Sequence, residues 1–482
     1  MTAIERGARR LTVARPARSP GRSAVAPALL FLLAAAAVTL TGALGAPAPT
    51  ERAGAADGRV VDHTTLACPD QPAARRVTTS VQLGLAPTPS DVTPPGGGEV
   101  RQGPVHSTGR PVDVRRGALT SVSAEGGPAV DASGGRAAGL FGFRYDVDAD
   151  RGLAVTTCPA PRSQWWFTGA GAGLDHSSSL LLANVDPGPA VLDITVLGPE
   201  GPVETVATHG ITLAPHSVRR VDLADIAPQT DDLALEVRTS QGRVVASVTD
   251  SFALTGTARP SQEWLAGTDL PSRTLRLAGL PARRASSTLL VANPSDLEAV
   301  VDVRIAGRSG TFTPTGLDTV TVAPGAIATV DLAGVLPRKE PVALRLHSRV
   351  PVVASVRVTD GGDHAYATPV SPLVGPAAAP VVADADATVQ LTAGSVASRV
   401  TVTAYDAKGA RVAGTTVTVD ATATAVWSPA KGAAYVVVTP STVTGNGTVH
   451  GAVGYAGDGL ATVPLTALPI RVERPDVRPG LH

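Results

Sequence analysis

The chain repeats itself at a spacing of 109 residues, and this repetition limits the folds open to it more than any other feature. Three segments recur in the same order, namely Ser179–Asn184 as Thr288–Asn293, Leu213–Leu223 as Val322–Leu332, and, at an offset of 108, Val244–Val248 as Val352–Val356. A unit of about 100 residues is too long for a solenoid repeat or one propeller blade, for which about 20–50 residues is usual. It matches the length of a β-sandwich module.

Weaker matches extend the repetition to both sides. Ser261–Gly267 echoes Ser163–Gly169 and aligns Trp264 with Trp166, but at an offset of 98, which predicts an insertion just after Trp264. Farther out, Ser133–Gly139 resembles Ser240–Ala246, and Val402–Gly409 resembles Ile194–Gly201. We therefore predict four modules, the first and last of them divergent, over residues 58–160, 161–258, 259–375 and 376–472.

Each copy has the pattern of β-strands. Ala190–Leu197 alternates apolar and polar residues and then meets the turn Gly198–Gly201. Alternation bounded by Gly, Pro and Asp turns is typical of sandwiches. The predicted fold is all-β, with four tandem Ig-like or fibronectin-like β-sandwich modules after one N-terminal transmembrane or signal helix. An eight-bladed propeller with two blades per copy is disfavoured, because no blade-sized repeat is visible inside a copy.

Two asparagines stand at corresponding strand ends. Asn184 precedes Asp186-Pro187, and Asn293 precedes Pro294. Asparagine at such a junction usually binds the backbone of its own turn. We predict a structural role for both.

An apolar segment near the N-terminus predicts export. Residues 1–23 hold six Arg against one acid, and residues 24–46 carry no charge. About 20 apolar residues cross a bilayer as a helix, and the basic side stays cytoplasmic. We predict a signal anchor at 24–46, a linker at 47–57 and a disordered tail at 473–482, with the modules outside the cytoplasm at the cell membrane. Cleavage near Ala43-Leu-Gly45, which would give a secreted protein, is the alternative.

The chain has two cysteines, Cys68 and Cys158, on the same side of that segment. Outside the cytoplasm such a pair oxidises. Closing a loop of about 90 residues would stabilise the fold by roughly 4 kcal/mol in the chain-entropy model. We predict a disulfide, with two buried thiols as the alternative.

The charged residues exclude some functions. The 41 basic residues equal the 41 acidic ones, so no positive excess is available for nucleic acid.

The sequence also lacks the usual metal and catalytic motifs. The nine His follow no metal-ligand spacing. Asp175-His176-Ser177 is no hydrolytic triad, since triad members converge from distant segments. Asp146, Asp148 and Asp150 alternate along one stretch and are interpreted as solvated charges. We predict no cofactor, no metal site and no enzyme activity.

The aromatic cluster Trp165-Trp166-Phe167, with Trp264 as its partial echo, is the candidate ligand surface. Exposed Trp rings stack on sugars, whereas buried ones fill a core or a joint between modules. Because Trp166 aligns with Trp264 and Trp165 aligns with Glu263, Trp165 is predicted to be the more exposed. Ligand stacking on Trp165, Trp166 and Trp264 stays open beside the structural role.

The motif Ser-Gln-Trp-Trp-Phe-x-Gly, followed by Ser-Leu-Leu-Leu-Ala-Asn and by Ala-Pro-x5-Val-Asp-Leu, resembles an envelope-protein family of high-GC Gram-positive bacteria. That family is a domain of unknown function, and the resemblance spans roughly residues 60–470. It implies an exported, N-terminally anchored β protein, often encoded beside a large membrane glycosyltransferase. It assigns no catalytic or binding residue.

These observations favour a non-catalytic envelope scaffold or accessory protein that holds a partner, such as a membrane glycosyltransferase, away from the membrane. A cell-surface protein that binds wall glycan through exposed aromatics is the second hypothesis. A glycan-active enzyme, with polar residues unique to one copy in a cleft, is the third.

Overall fold

Strands make up nearly all the regular structure of the described residues. The computed structural model describes residues 58–70, 77–148, 152–253, 260–282, 284–337, 340–441, 445–457 and 459–472. The predicted anchor at 24–46, its flanking segments 1–23 and 47–57, and the tail at 473–482 lie outside these residues. Within them no helix has the length and apolar character needed to cross a membrane. The prediction of an all-β fold is confirmed.

The first sheet pair lies within residues 58–160. Its sheets have the orders β2-β7-β4-β5 and β6-β3-β8-β9, and all neighbours are antiparallel. The strands are β1 Arg59–Val60, β2 His63–Ala67, β3 Val77–Leu85, β4 Val100–Pro104, β5 Arg110–Val112, β6 Leu119–Val122, β7 Pro128–Ser133, β8 Leu140–Asp148 and β9 Gly152–Thr157. A disulfide joins Cys68, after β2, to Cys158, after β9, so it links the two sheets and confirms that prediction.

The second sheet pair has the orders β10-β16-β12-β13 and β15-β11-β17-β18, with β14 added beside β12. Its strands are β10 Gln164–Ala170, β11 His176–Asn184, β12 Ala190–Gly198, β13 Gly201–Pro202, β14 Ile211–Leu213, β15 Ser217–Asp222, β16 Leu233–Gln241, β17 Val245–Phe252 and β18 Ser261–Leu265. Three short 3-10 helices occur in these two pairs, at Gly134–Arg136, Val206–Thr208 and Leu223–Asp225.

The third sheet pair shares one long strand between its two sheets. The first half of β25 pairs with β19 and β21, and its second half pairs with β20 and β26. The strands are β19 Ser272–Leu277, β20 Ser286–Ala292, β21 Ala299–Gly307, β22 Gly310–Phe312, β23 Thr319–Val322, β24 Ile327–Asp331, β25 Ala343–Asp360 and β26 Asp363–Ala367.

The fourth sheet pair has the orders β27-β32-β29-β30 and β31-β28-β33-β34. Its strands are β27 Ala377–Pro380, β28 Ala385–Ala393, β29 Ser398–Tyr405, β30 Arg411–Val419, β31 Thr424–Trp427, β32 Tyr435–Pro440, β33 Val449–Gly457 and β34 Ala461–Pro464. Each of the four pairs encloses its own apolar core.

The four pairs close into a ring. The closing strand of each pair contacts that of the next: β9 touches β18 and β34, and β26 touches the same two strands. The final strand, β35 (Arg471–Val472), pairs antiparallel with β1 and so joins the end of the described chain to its start. The ring is therefore closed in two ways, by the contacts among β9, β18, β26 and β34 and by the pairing of β35 with β1.

Apolar seams hold neighbouring pairs together. Between pairs one and two lie Ala67, Val105, Ala183, Val185 and Val245, and between pairs two and three lie Trp166, Leu197, Ala234, Leu290, Ala292, Ile327 and Val353. Between pairs three and four lie Ala278, Ala306, Ala343, Val370 and Ala452, and between pairs four and one lie Ala86, Phe141, Phe143, Ala378, Tyr435 and Val437. Sheets in the ring are thus covered on both faces, one by a core and one by a seam.

One boundary differs from the prediction. The segment that echoed Ser163–Gly169 forms β18, which pairs with β17 and closes a sheet of the second pair, although 259–375 was predicted to be the third module. The counterpart of β10 is instead β19, so Trp166 corresponds to Arg276 and not to Trp264. The offset of 98 does not reflect an insertion. It arose because β10, which opens the second pair, and β18, which closes it, have similar alternating patterns.

We predict that the disulfide contributes measurably to stability. Replacing both Cys68 and Cys158 by Ser should lower the free energy of unfolding by about 2–4 kcal/mol, because the unfolded chain regains its loop entropy. Chemical denaturation without reductant measures this difference. Two reactive thiols in the unreduced, denatured wild-type protein would contradict the prediction.

Candidate functional site

A buried carboxylate, Asp250 on β17, is the centre of a polar cluster that joins several strands. One oxygen, Oδ1, accepts a hydrogen bond from Ser178 Oγ at 2.5 Å and lies 3.1 Å from His176 Nε2. The other, Oδ2, lies 3.1 Å from His364 Nε2 and accepts from the Tyr366 hydroxyl at 2.8 Å. The exposed fraction of Asp250 is 1%. Four donors therefore compensate one buried acid.

The electrostatics of the cluster follow from burial and mutual contact. Burial by itself raises the pKa of Asp250, but the charges and hydrogen bonds of His176 and His364 outweigh it and hold that pKa well below its usual range. Burial lowers the pKa of His364 despite its hydrogen bond to Asp250. Burial raises the pKa of Tyr366, and the charge of Asp250 adds to this effect. Asp250 is thus held as the anion, with neutral Tyr366 as a donor.

The cluster includes a serine–histidine–aspartate arrangement. Ser261 Oγ lies 2.5 Å from His364 Nδ1, and the other ring nitrogen of His364 faces Asp250. Such a chain can activate a serine when substrate reaches the hydroxyl. Here Ser261 is 1% exposed and His364 is 0% exposed. In this arrangement the Ser261 hydroxyl is therefore closed to a substrate.

Further polar contacts near this cluster join the second and third sheet pairs. Arg357 of the third pair donates to Asp232 of the second at 2.8 Å, and its guanidinium lies 4.5 Å from the centre of the Phe252 ring. Ser355 donates to the carbonyl of Thr168 at 2.6 Å. Polar groups on both sides are therefore bound across the seam, which is the usual condition for burying them.

A second acid, Asp363 on β26, binds the backbone of three sheet pairs. Its Oδ2 accepts from the Leu153 amide of β9 at 3.1 Å and from the Leu460 amide before β34 at 2.7 Å, while Oδ1 accepts from the His364 amide at 2.9 Å. A Cβ at Gly152 would lie 2.0 Å from Asp363 Oδ2, so the approach requires glycine there. Burial raises the pKa of Asp363 to about 7, although the three amides oppose the shift.

Glu263 on β18 lies in the same central region. It accepts from the Trp264 amide at 2.7 Å, and burial raises its pKa well above the usual range. Its Oε2 has no hydrogen-bond partner among the described residues. The described residues contain no group of three His, Cys, Asp or Glu arranged to hold a metal ion.

The predicted ligand surface is not exposed, which corrects the expectation for the tryptophans. Trp165 is 2% exposed and packs in the core of the second sheet pair, with its Nε1 donating to the Val244 carbonyl at 2.9 Å. Trp166, on the opposite face of β10, is 2% exposed in the seam with the third pair. Because both faces of this sheet are covered, alternation along β10 does not distinguish a buried side chain from an exposed one.

Trp264 lies in a polar contact and not on the surface. Its Nε1 donates to Asp146 Oδ2 at 3.1 Å, and Arg144 Nε donates to the same oxygen at 3.0 Å. Asp146 is 8% exposed, so its interpretation as a solvated charge was wrong, while Asp150 lies outside the described residues. The closing strand β18 thereby binds the first sheet pair.

Two predictions about local motifs have clear outcomes. The Nδ2 atoms of Asn184 and Asn293 donate to the carbonyls of Gly188 at 2.8 Å and Leu297 at 2.7 Å, so their structural role is confirmed. Of Asp175-His176-Ser177, only His176 enters the polar cluster. The partners Asp250, His364 and Ser261 come from other strands, and no sequence spacing links them.

We predict that Asp250 is essential to stability. Changing Asp250 to Asn removes the buried charge that faces four hydrogen-bond donors, so the free energy of unfolding should fall by about 3–5 kcal/mol. Chemical denaturation measures the change. The exposed Asp318→Asn variant is the matched control and should stay within about 0.5 kcal/mol of wild type. Equal effects of the two variants would show that the cluster does not stabilise the ring.

We predict a pH dependence from Asp363. Because its folded-state pKa is raised, the folded protein keeps a proton that the unfolded chain loses, and this stabilisation disappears as the pH rises through about 7. Relative to Asp363→Asn, the wild-type free energy of unfolding should fall from about pH 4 to about pH 7, on the order of 1 kcal/mol per pH unit, and level off above that. Parallel stability curves for the two proteins would refute this.

Comparisons with known proteins give a family but no activity. Full-length RrgB pilus protein from Streptococcus pneumoniae aligns at 10% identity and a TM-score of 0.10, over 60% of this chain and 58% of that one. No curated protein matches the sequence. The model of a family of unknown function, DUF5719, matches residues 116–430, about two thirds of the chain. The chain belongs to this family.

Proposed function

We propose that the protein is a non-catalytic extracytoplasmic scaffold or accessory protein of the cell envelope. The observation that carries the proposal is the closure of the ring: Asp363 joins the first, third and fourth sheet pairs at the centre, Asp250 joins the second pair to the third, and β35 pairs with β1. A closed ring resists the hinge motions that are the default between loosely linked domains. It is suited to hold a partner in a defined geometry.

We propose that the four sheet pairs are Ig-like or fibronectin-like modules that do not behave as separate domains. Each has two antiparallel sheets around one core, as such modules do. Their outer faces are apolar where an isolated module would be polar, and this supports a role as one rigid body.

The buried chemistry favours a scaffold over an enzyme. The side chains with catalytic potential, Ser261, His364 and Asp250, are bound to one another and lie within a seam. The glycan-binding hypothesis rested on exposed Trp165, Trp166 and Trp264, and all three are at most 3% exposed. A scaffold does not require any of these side chains to be exposed.

The proposed location is the outer face of the cell membrane, with the apolar segment 24–46 as the anchor. The disulfide between Cys68 and Cys158 supports this location, since such bonds persist in oxidising compartments. The proposed partner is an envelope membrane protein, for which a glycosyltransferase is the leading candidate.

Crosslinking in cells that carry the full-length tagged chain tests the proposal. We expect recovery of the same membrane protein in repeated captures, and loss of that protein with Asp250→Asn, which loosens the ring, but not with Asp318→Asn. Purified wild-type protein should not react with a fluorophosphonate probe. Labelling that Ser261→Ala abolishes, or retention on cell-wall glycan with no protein partner, would overturn the proposal.

A further inference from the structure

Three arginines lie in one row across the outward face of a sheet in the third pair. Arg276 on β19 is directly opposite Arg345 on β25, which is directly opposite Arg304 on β21. Neighbouring strands are about 4.8 Å apart, so the three side chains leave the sheet side by side. Like charges in directly opposite positions destabilise a sheet.

No carboxylate balances this row. Among the described residues, none of the three arginines takes part in a salt bridge. The hydrogen bond of Arg276 is to His450 Nε2 at 3.2 Å, and His450 Nδ1 lies 2.8 Å from the Val370 carbonyl. Burial lowers the pKa of His450 to about 4, so this histidine is neutral.

The fold does not require arginine in this row. The repeat places Glu236 where the third pair has Arg345, and Thr195 where it has Arg304. In the second pair Glu236 stands between Trp166 and Thr195 in the same register. The basic row is therefore not shared by the second pair.

The row adjoins a packed seam and is in part open to solvent. Directly beside it on the same face, Ala278, Ala306 and Ala343 pack against the fourth pair in the seam. Arg304 is exposed, and Arg276 and Arg345 are partly exposed. Next to Arg276 lies a groove of about 420 Å³. Its lining combines hydroxyl and imidazole groups with apolar side chains, among them Ser272, Thr274 and His450 with Leu270, Val353 and Pro372.

The carboxylates near the row do not compete for it. Asp269 lines the groove, but its oxygens bind Arg162 at 2.8 Å and the Ser371 hydroxyl. Asp302 lies in the next row of the sheet, opposite His347. The guanidinium groups of the row keep most of their donors for a ligand.

We propose that the row Arg276–Arg345–Arg304 is a binding site for an extended, phosphate-bearing ligand whose end enters the groove beside Arg276. Guanidinium groups bind phosphate oxygens in pairs of charge-assisted hydrogen bonds. Several phosphates in line would also relieve the repulsion within the row. The groove, with both hydroxyl and apolar side chains in its lining, suits an uncharged part of such a ligand.

Titration calorimetry of the purified full-length chain with inorganic tripolyphosphate tests the proposal. We expect saturable binding that weakens as salt is added, and weaker binding of orthophosphate. Arg345→Gln should reduce the affinity for tripolyphosphate at least about tenfold, because it removes the central charge-assisted contact. Arg399→Gln, which changes an exposed strand arginine with no salt bridge in the described chain, should leave the affinity unchanged.

The stability of the same variant provides a second measurement. Because Arg345 faces like charges on both sides, Arg345→Gln should unfold at the same temperature as wild type or higher while it loses binding. A destabilised Arg345→Gln variant would contradict the repulsion on which the site is argued. Absence of tripolyphosphate binding at low salt, equal losses for Arg345→Gln and Arg399→Gln, or tighter binding of polygalacturonate than of tripolyphosphate would overturn the phosphate assignment.

Discussion

The buried carboxylate of Asp363 binds backbone amides of the first, third and fourth sheet pairs, and the ring depends on this contact. A single acid can do this because a carboxylate has two oxygens with several acceptor positions. The adjacent Asp250 joins the second and third pairs through His364 and Tyr366. Together the two acids connect all four pairs at a place where water cannot satisfy polar groups.

Ring closure changes which side chains are needed on the outer face of each sheet. An isolated sandwich has polar outer faces, but here the outer faces meet in seams. Small side chains such as Ala278, Ala306 and Ala452 let two sheets approach closely in one seam, whereas Trp166 fills another. The scarcity of large aromatic residues in the chain is consistent with seams built chiefly from small and branched aliphatic side chains.

Charged groups in the ring fall into two kinds. In the seam between the second and third pairs, Arg357 and Asp232 neutralise each other, and Asp250 is surrounded by donors. In the row through Arg345, like charges face each other, and no acid of the described residues forms a salt bridge with them. Compensated charge maintains structure, while uncompensated charge at an accessible place is available to a ligand. This difference is why a scaffold role and an anion site can be proposed for one molecule.

The sequence by itself determined what local chemistry decides: alternation predicted strands, the repeat at 109 predicted corresponding sheets, Asn184 and Asn293 predicted their own turns, and two cysteines on the same side of the apolar segment predicted the disulfide. Only the tertiary structure decided that Ser261–Leu265 closes a sheet and that the tryptophans are buried. Strand periodicity records which residues share a face, but what covers that face depends on distant segments. For the same reason Asp250, His364 and Ser261 meet only when the ring closes.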